Sequence, residues 1–424
     1  MIRFLLKGIV RDRHRSFFPV IIVMLGVMIS VLMYCFMHGV MDETIRSNAR
    51  LDTGHVKITT RGYQEISRQL PNDLAIVETD QVLLGLERDY PEMDWAARVK
   101  FGGLLDLPDE YGETRAQGPT FGFAADLLSA SSGENERLNL AKGLIQGRLP
   151  ESAGEILVSE DFARRLGAEI GDAATLISST ANGGMAIQNF TLAGTVRFGI
   201  GPLDRNMMIA DLEDIQYALD MEGSAAEILG FFPNSIYNEK VAGQIAADFN
   251  SNNDDPEDEF ALTMLTLREQ GGLGEYLDMT SQRVSIILAS FFLVMSIVLW
   301  NAGLMSGIRR YGEIGVRLAI GESKGRVYRF LLGESLLVGF AGSMAGTAVG
   351  LGLSYYLQEV GLDISGMMKG STILMANVMR AKITPASYYI GFIPGLLATF
   401  LGSAISGINI FRRQTAQLFK ELEA

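Results

Sequence analysis

A single cysteine, Cys35, among 424 residues leaves no disulfide within the chain. Histidine is nearly as scarce. His14, His38 and His55 show no ligand spacing, so they make no metal set, and each reads as a polar surface residue. No G-x-x-x-x-G-K-[ST] segment is present, so the chain does not itself cradle ATP phosphates. Gly321, Glu322, Ser323, Lys324 and Gly325 resemble a phosphate loop only superficially, and no nucleophile elbow is read in the chain. No catalytic residue or bound cofactor is assigned, and the chain is read as a non-enzyme. The acidic run Asp254, Asp255, Pro256, Glu257, Asp258 and Glu259 lacks the central glycine and alternation of a calcium loop and reads as solvated.

Charge is also missing from four long stretches. Segments 17–40, 284–308 and 387–411 carry no Asp, Glu, Lys or Arg, and segment 330–357 carries only Glu334. Each reaches the roughly 20 residues that a helix needs to cross a bilayer core. The first is longer than a signal-peptide core and has no clear small-x-small cleavage site, so it reads as a retained anchor.

Between the first and second segments lies an insert, 41–282, too polar for lipid. It holds 18 Lys and Arg against 41 Asp and Glu, a balance of −23, while the rest of the chain holds 18 against 8, or +10. The short segments 1–16, 309–329 and 412–424 are basic and are placed in the cytoplasm. Four crossings then put the insert and the loop 358–386 outside. A domain this acidic argues against nucleic acid as a partner.

The insert opens with strand–helix–strand: a strand at 54–60, a helix containing Val77, Val82, Leu83, Leu86 and Tyr90, and a strand at 95–101. It closes with the same order: a strand at 226–232, a helix at 235–249 and a strand at 260–267. The pattern predicts an α+β sheet with helices on one face. Segment 107–220, rich in Gly and Thr with one short helix at 159–166, predicts a β-rich subdomain inserted into the domain 53–275. Neither edge of the insert is Gly/Ser-rich. The expectation is therefore a helical stalk at each edge, 17–52 continuing the first crossing and 276–308 leading into the second.

Three further features stand out. Glu334 is costly in lipid and must face protein or water; the expected role is a polar anchor paired with Arg329 or Arg310. Gly342, Gly346 and Gly350 recur every fourth residue, beside Gly339 and Gly352, and predict close helix packing within the subunit or across a dimer. Met24, Met28, Met37 and Met41 form a loose stripe, read either as a soft contact for apolar cargo or as ordinary packing. Met367, Met368, Met375 and Met379 fall in the second outer loop, where 373–379 suits an interfacial position.

The most specific stretch runs Arg309, Arg310, Tyr311, Gly312, Glu313, Ile314, Gly315, Val316, Arg317, Leu318, Ala319, Ile320, Gly321, then Phe330, Leu331, Leu332, Gly333, Glu334. It resembles the cytoplasmic loop of the FtsX-like, MacB-like ABC transporter permease superfamily, with Glu322 in place of the usual small residue. Gly147, Arg148 and Leu149, the block 154–159 and the block 166–172 resemble that family's outer domain. Thr53, Gly54, His55, Val56, Lys57 and Ile58 are more similar to its lipoprotein-releasing branch.

The resemblance implies a type VII architecture: four transmembrane helices, a large periplasmic domain and inner-membrane location. It implies a cytoplasmic ABC ATPase dimer that uses ATP and Mg, a second permease copy or paralogue, lipophilic or lipoprotein cargo, and room for a periplasmic carrier or adaptor. Arg309, Arg310, Glu313, Ile314, Arg317, Ala319 and Gly321 become the expected ATPase-coupling residues, with Glu313 and Arg317 spaced to pair. Macrolide or peptide efflux, an ATPase-driven signalling subunit acting on an outer partner such as a cell-wall hydrolase, and a membrane-anchored enzyme are the alternatives.

Overall fold

The computed structural model describes residues 13–198, 203–234, 236–253, 257–308, 311–363 and 378–412. They form two compact units. One comprises Met1–Asp42, Met279–Leu362 and Met379–Ala424, the other Glu43–Asp278 and Asp363–Val378.

Along the chain the principal elements are α1 (Arg13–Asn48), β1 (Val56–Thr60), α2 (Thr79–Asp89), β2 (Asp94–Pro108), β3 (Thr114–Ala125), β4 (Leu144–Gly147), β5 (Glu155–Ser159), α3 (Glu160–Leu166), β6 (Ala173–Ser179), β7 (Met185–Val196), β8 (Met207–Asp211), α4 (Leu212–Ala218), β9 (Glu227–Phe231), α5 (Glu239–Asn253) and β10 (Leu262–Thr266). Then come α6 (Leu273–Ile308), α7 (Tyr311–Ala319), α8 (Lys324–Val360) and α9 (Phe392–Arg412). Helices α1, α6, α8 and α9 carry four stretches long and apolar enough to cross a membrane. No break interrupts α1 up to Asn48, where it tightens into a π-helical turn, Ala49–Thr53.

The larger unit is built on one ten-stranded sheet among the described residues, ordered β10-β1-β9-β2-β3-β8-β5-β7-β4, with β6 joining β2 and β7. Its first part follows the expected strand–helix–strand order. Val56 and Ile58 of β1, Ile228 of β9 and Met264 of β10 face α2 and α5, meeting Leu86, Ala242, Ile245 and Phe249 in one core. The period of two sends Lys57 and Thr59 to the opposite face. Helix α5 starts at Glu239, four residues later than expected, because the Asn238 side chain accepts from the Lys240 and Val241 amides and caps the helix there. Ser235, at the expected start, lies outside the described residues.

Segment 107–220 shares this sheet with its flanks. Strand β2 pairs with β9 through Asp94–Arg98 and with β3 and β6 farther on. The pairings β2–β3, β3–β8, β8–β5, β5–β7, β7–β6 and β6–β2 close a six-strand ring. Phe101, Leu105, Ile156, Val158, Leu176, Phe190 and Met208 fill its inside. The alternate residues Leu157, Met207 and Ile209 pack outside against Leu138, Leu140 and Leu51. Closure removes sheet edges that an open inserted sheet would expose. Only one short helix was expected here, yet Glu134–Arg137, Leu140–Gly143, Leu203–Asn206 and α4 add others. Single turns of this length carry no helical period, and caps such as Asp211, whose carboxylate accepts from the Glu213 amide, decide them.

The membrane unit packs through its glycines. A side-chain carbon at Gly342 would lie 2.7 Å from Val23, at Gly346 2.5 Å from the Met24 carbonyl and at Gly350 3.0 Å from the Met28 carbonyl. The stripe therefore seats α8 directly on the backbone of α1, inside one subunit. Helix α9 closes on the same surface, with Gly391 and Gly395 against Val27 and Val31. Gly346→Ala is expected to lower the thermal midpoint of the purified protein, because a methyl there meets backbone. Gly352→Ala, with nothing within 4 Å, is expected to hold or raise it by helix propensity. Thermal unfolding of the two variants in one detergent reads the contrast, and equal midpoints would remove the stripe as a packing seam.

Candidate functional site

The cytoplasmic loop folds as a short helix with a defined stop. The Glu322 amide reaches the Arg317 carbonyl at 3.0 Å and the Gly321 amide the Leu318 carbonyl at 3.1 Å, with Gly321 at φ +97°. This is a Schellman ending, which needs glycine at that position. Ser323 then precedes α8. A nucleophile elbow follows a strand; here helix α7 precedes Ser323, so the G-x-S-x-G letters at 321–325 do not form one.

Ile314 is 5 % exposed and packs with Leu318, Val327 and Leu331, so it fixes α7 onto α8 and does not face outward. Arg317 lies 4.4 Å over the Phe330 ring. Among the described side chains, the exposed ones of α7 and the residue after it are apolar: Val316 is 43 % and Ile320 81 % exposed, with exposed Ala319 between them, and Arg326 and Arg329 are exposed at the start of α8. Arg309 and Arg310 lie outside the described residues, as does the side chain of Glu313. Glu334 is buried on α8, one helical turn beyond Phe330.

The methionine stripe is less open than expected for a cargo surface. Met24, Met28, Met37 and Met41 are all half-buried, while Phe17, Phe18, Leu25 and Ile29 of that helix are exposed. Cys35 is buried and donates to the Ser387 hydroxyl at 3.2 Å. Lys382 pairs with Asp42, and its amide donates to the Cys35 carbonyl. The outer segment near 380–387 is thereby laced to α1. Met367, Met368 and Met375 lie outside the described residues.

A second constellation had no sequence signal. It holds the π-turn at the end of α1 against the sheet. Arg98, fully buried on β2, donates to Glu134 at 2.8 Å and to the Arg50 carbonyl at 3.0 Å. Arg137 pairs with Glu134 from the other side. Lys100 pairs with Asp52 and, at 3.1 Å, with Glu227, which also holds Lys57 at 2.7 Å. Gln270 donates to the Thr53 carbonyl at 3.0 Å, and Gly54 at φ +61° turns the chain into β1. Arginine and lysine at alternate positions 98 and 100 look like ordinary surface charges in a linear reading.

A sequence family described as MacB-like periplasmic core domain matches residues 16–262, and one described as FtsX-like permease C-terminal matches residues 285–415. The chain belongs to the FtsX-like, MacB-like permease family. It is 23 % identical over 210 residues to the lipoprotein-releasing system transmembrane protein LolC of Xylella fastidiosa, covering 48 % of this chain and 49 % of that one. It is 34 % identical over 90 residues to the macrolide export ATP-binding/permease protein MacB of Hyphomonas neptunium, covering 20 % of this chain and 14 % of that one. The chain thus spans about half the length, or less, of these relatives. A crystal structure of the periplasmic region of MacB from Actinobacillus actinomycetemcomitans overlaps 56 % of this chain and 95 % of its own, at a TM-score of 0.35 and 11 % identity. This family member is a multi-pass inner-membrane protein with a large periplasmic domain.

In this permease the charge cluster is strongly polarised. Burial pulls Lys57 below the ordinary lysine range, against the opposing pull of Glu227. Burial would do the same to Lys100, but Asp52 and Glu227 outweigh it and hold that ammonium above the usual range. Burial, aided by Glu227, also raises the Tyr63 phenol.

His55 corrects the surface reading of the histidines. It is 2 % exposed, its Nδ1 accepts from the Phe232 amide at 2.8 Å, and its ring stacks on Phe232 at 5.1 Å. A residue at the start of a buried strand has nowhere else to point. Burial lowers its pKa to about 4. The unfolded chain takes up a proton near pH 6.5, the folded one only near 4, so this contribution is complete above 6.5 and lost as pH falls toward 4. Denaturant unfolding is expected to show a loss of about 2 kcal/mol from this group between pH 7.5 and 5. The loss should be absent in His55→Gln, and an equal pH slope in that variant would exclude His55 as the source.

Proposed function

We propose that this chain is the permease subunit of an ATP-driven ABC transporter that couples cytoplasmic ATP hydrolysis to movement of its periplasmic domain. The observation that carries the reading is α7. It is stapled to α8 through Ile314 and capped at Gly321, yet it offers Val316, Ala319 and Ile320 to a partner beside basic side chains. Such a helix suits a groove on a separate ATPase, because a hydrophobic tip docks and a rigid base transmits. Glu313 and Arg317 belong to this loop as coupling residues, and Glu334 anchors its junction with the membrane helix.

The cargo is a lipoprotein or another lipophilic molecule of the inner membrane. The likeness to LolC supports this reading. A second permease copy or paralogue completes the transporter. The domain boundaries proposed are 53–275 for the periplasmic domain, with 107–220 as its β-rich part, and 309–329 for the coupling loop.

The test is co-purification followed by reconstitution. The full chain, isolated from its native membrane, is expected to bring an ABC ATPase with it and to give substrate-stimulated hydrolysis in liposomes. Cysteine labels near Gly133 should react with an impermeant reagent in spheroplasts, and labels near Gly321 should not. A stable outer partner with no ATPase-dependent flux would favour the signalling role instead. Reversed labelling would overturn the assignment.

A further inference from the structure

The charge cluster lies at the floor of a cleft of about 940 Å³ within the periplasmic unit. Its buried pairs balance one another: Lys57 and Lys100 face Glu227 and Asp52. Three buried polar atoms in the same wall have no partner, namely the Tyr63 hydroxyl, Thr59 Oγ1 and Gln270 Oε1. Tyr63 is 2 %, Thr59 3 % and Gln270 8 % exposed. Orphaned buried groups are costly unless something completes them. Together they present two hydroxyls that can donate or accept and one amide acceptor, in a cleft lined by three cations, Lys57, Arg68 and Lys100, and four carboxylates, Asp52, Glu65, Glu227 and Glu269.

A second cavity, of about 300 Å³, shares Asn48, Asp52, Ser67, Arg68 and Lys100 with the cleft. Apart from Ser47 and Gly122, its other lining residues are apolar, among them Leu51, Leu70, Phe121, Phe123 and Met207. Phe101, Phe123 and Met207 belong to packed cores, so the pocket is built on rigid strands. A polar cleft that shares a wall with a largely apolar pocket matches one kind of molecule.

We propose that this pair of cavities is a binding site for an amphiphile with one apolar chain and a compact polar head that is uncharged or zwitterionic. The chain enters the pocket at Leu70 and Phe121, and the head lies over Tyr63, Thr59 and Gln270. A net anionic head is disfavoured. It would have to separate Lys57 from Glu227 or Lys100 from Asp52, and a buried carboxylate stripped of its cation is strongly unfavourable. Burial keeps the Tyr63 phenol protonated, so it remains available as a donor. The same head-and-chain chemistry is found in a lysophospholipid and in an acylated peptide. The site stands apart from the ATPase reading, since occupancy needs no ATP.

The experiment uses the full chain in nanodiscs with lysophosphatidylcholine carrying a diazirine in its acyl chain. After illumination, peptide mass spectrometry is expected to find the label at Leu70 or Phe121, displaced by unlabelled lysophosphatidylcholine. Lysophosphatidic acid should compete at least tenfold less well. An N-acylated dipeptide amide is the second competitor, and whichever neutral competitor is the stronger identifies the natural head. Tyr63→Phe removes a hydroxyl with no protein partner, so the fold should keep its thermal midpoint while labelling falls three- to tenfold. Phe121→Glu should abolish labelling of the pocket. Label confined to the membrane helices, equal competition by lysophosphatidic acid, or unchanged labelling in Tyr63→Phe would each overturn the proposal.

Discussion

Ile320→Asp is expected to separate the permease from the ATPase proposed as its partner. The side chain is 81 % exposed at the tip of α7, one turn beyond Val316, and touches none of the small core that Ile314 builds with Val327 and Leu331. The substitution should leave insertion and folding intact while placing a charge in the centre of an apolar contact. Central interface residues commonly contribute about 2 kcal/mol or more, so ATPase recovery should drop about thirtyfold. Substrate-stimulated hydrolysis in liposomes should fall with it. Glu313→Lys, in the motif itself, should act in the same direction, with Lys420→Glu in the tail as a control. Leu84→Asp, at a residue 67 % exposed on α2 of the periplasmic unit, controls for a surface charge as such. Normal ATPase recovery with Ile320→Asp would confine this loop to an anchoring role.

Glu134→Ala should be the most damaging substitution in the periplasmic unit. It strips the carboxylate from Arg98, whose side chain is fully buried and cannot reach water. Breaking a buried pair by removing one partner costs about 3–5 kcal/mol. For a domain of this size that corresponds to roughly 10 °C in thermal midpoint. Arg98 also holds the Arg50 carbonyl, so the end of α1 should loosen and the π-turn should gain hydrogen exchange. The double variant Arg98→Met, Glu134→Leu should recover much of the loss, since Phe123 and Phe231 already lie against the guanidinium. A single variant as stable as the parent would show that the pair is dispensable.

The proposed coupling loop stands out in the sequence because its motif, its flanking arginines and its place between two apolar segments coincide within about twenty residues. The direction of Ile314 was not legible. A nine-residue helix has apolar residues on two faces, and only the position of α8 shows that Ile314 turns inward while Ile320 does not. The glycine stripe was readable as a packing seam, but its partner was open until Gly346 was seen against the Met24 carbonyl. His55 was misjudged because one histidine in a short motif carries no burial signal of its own.

Sequence alone determined the class of this protein. Four uncharged or nearly uncharged stretches of membrane length, basic short loops and an acidic insert specify crossings and orientation, because burying charge in lipid is costly wherever the chain goes. The strand–helix–strand order at both ends of the insert likewise specified a sheet covered by helices on one face. The tertiary structure alone decided which distant residues meet. The six-strand ring joins β2 to β6 across about seventy residues, and the Arg98–Glu134 and Lys100–Asp52 pairs link positions 36 and 48 residues apart. Hydrophobic period and charge count are local properties of a chain. Strand pairing and buried ion pairs are not, since each is stabilised only after the sheet has brought its partners together and excluded water from between them.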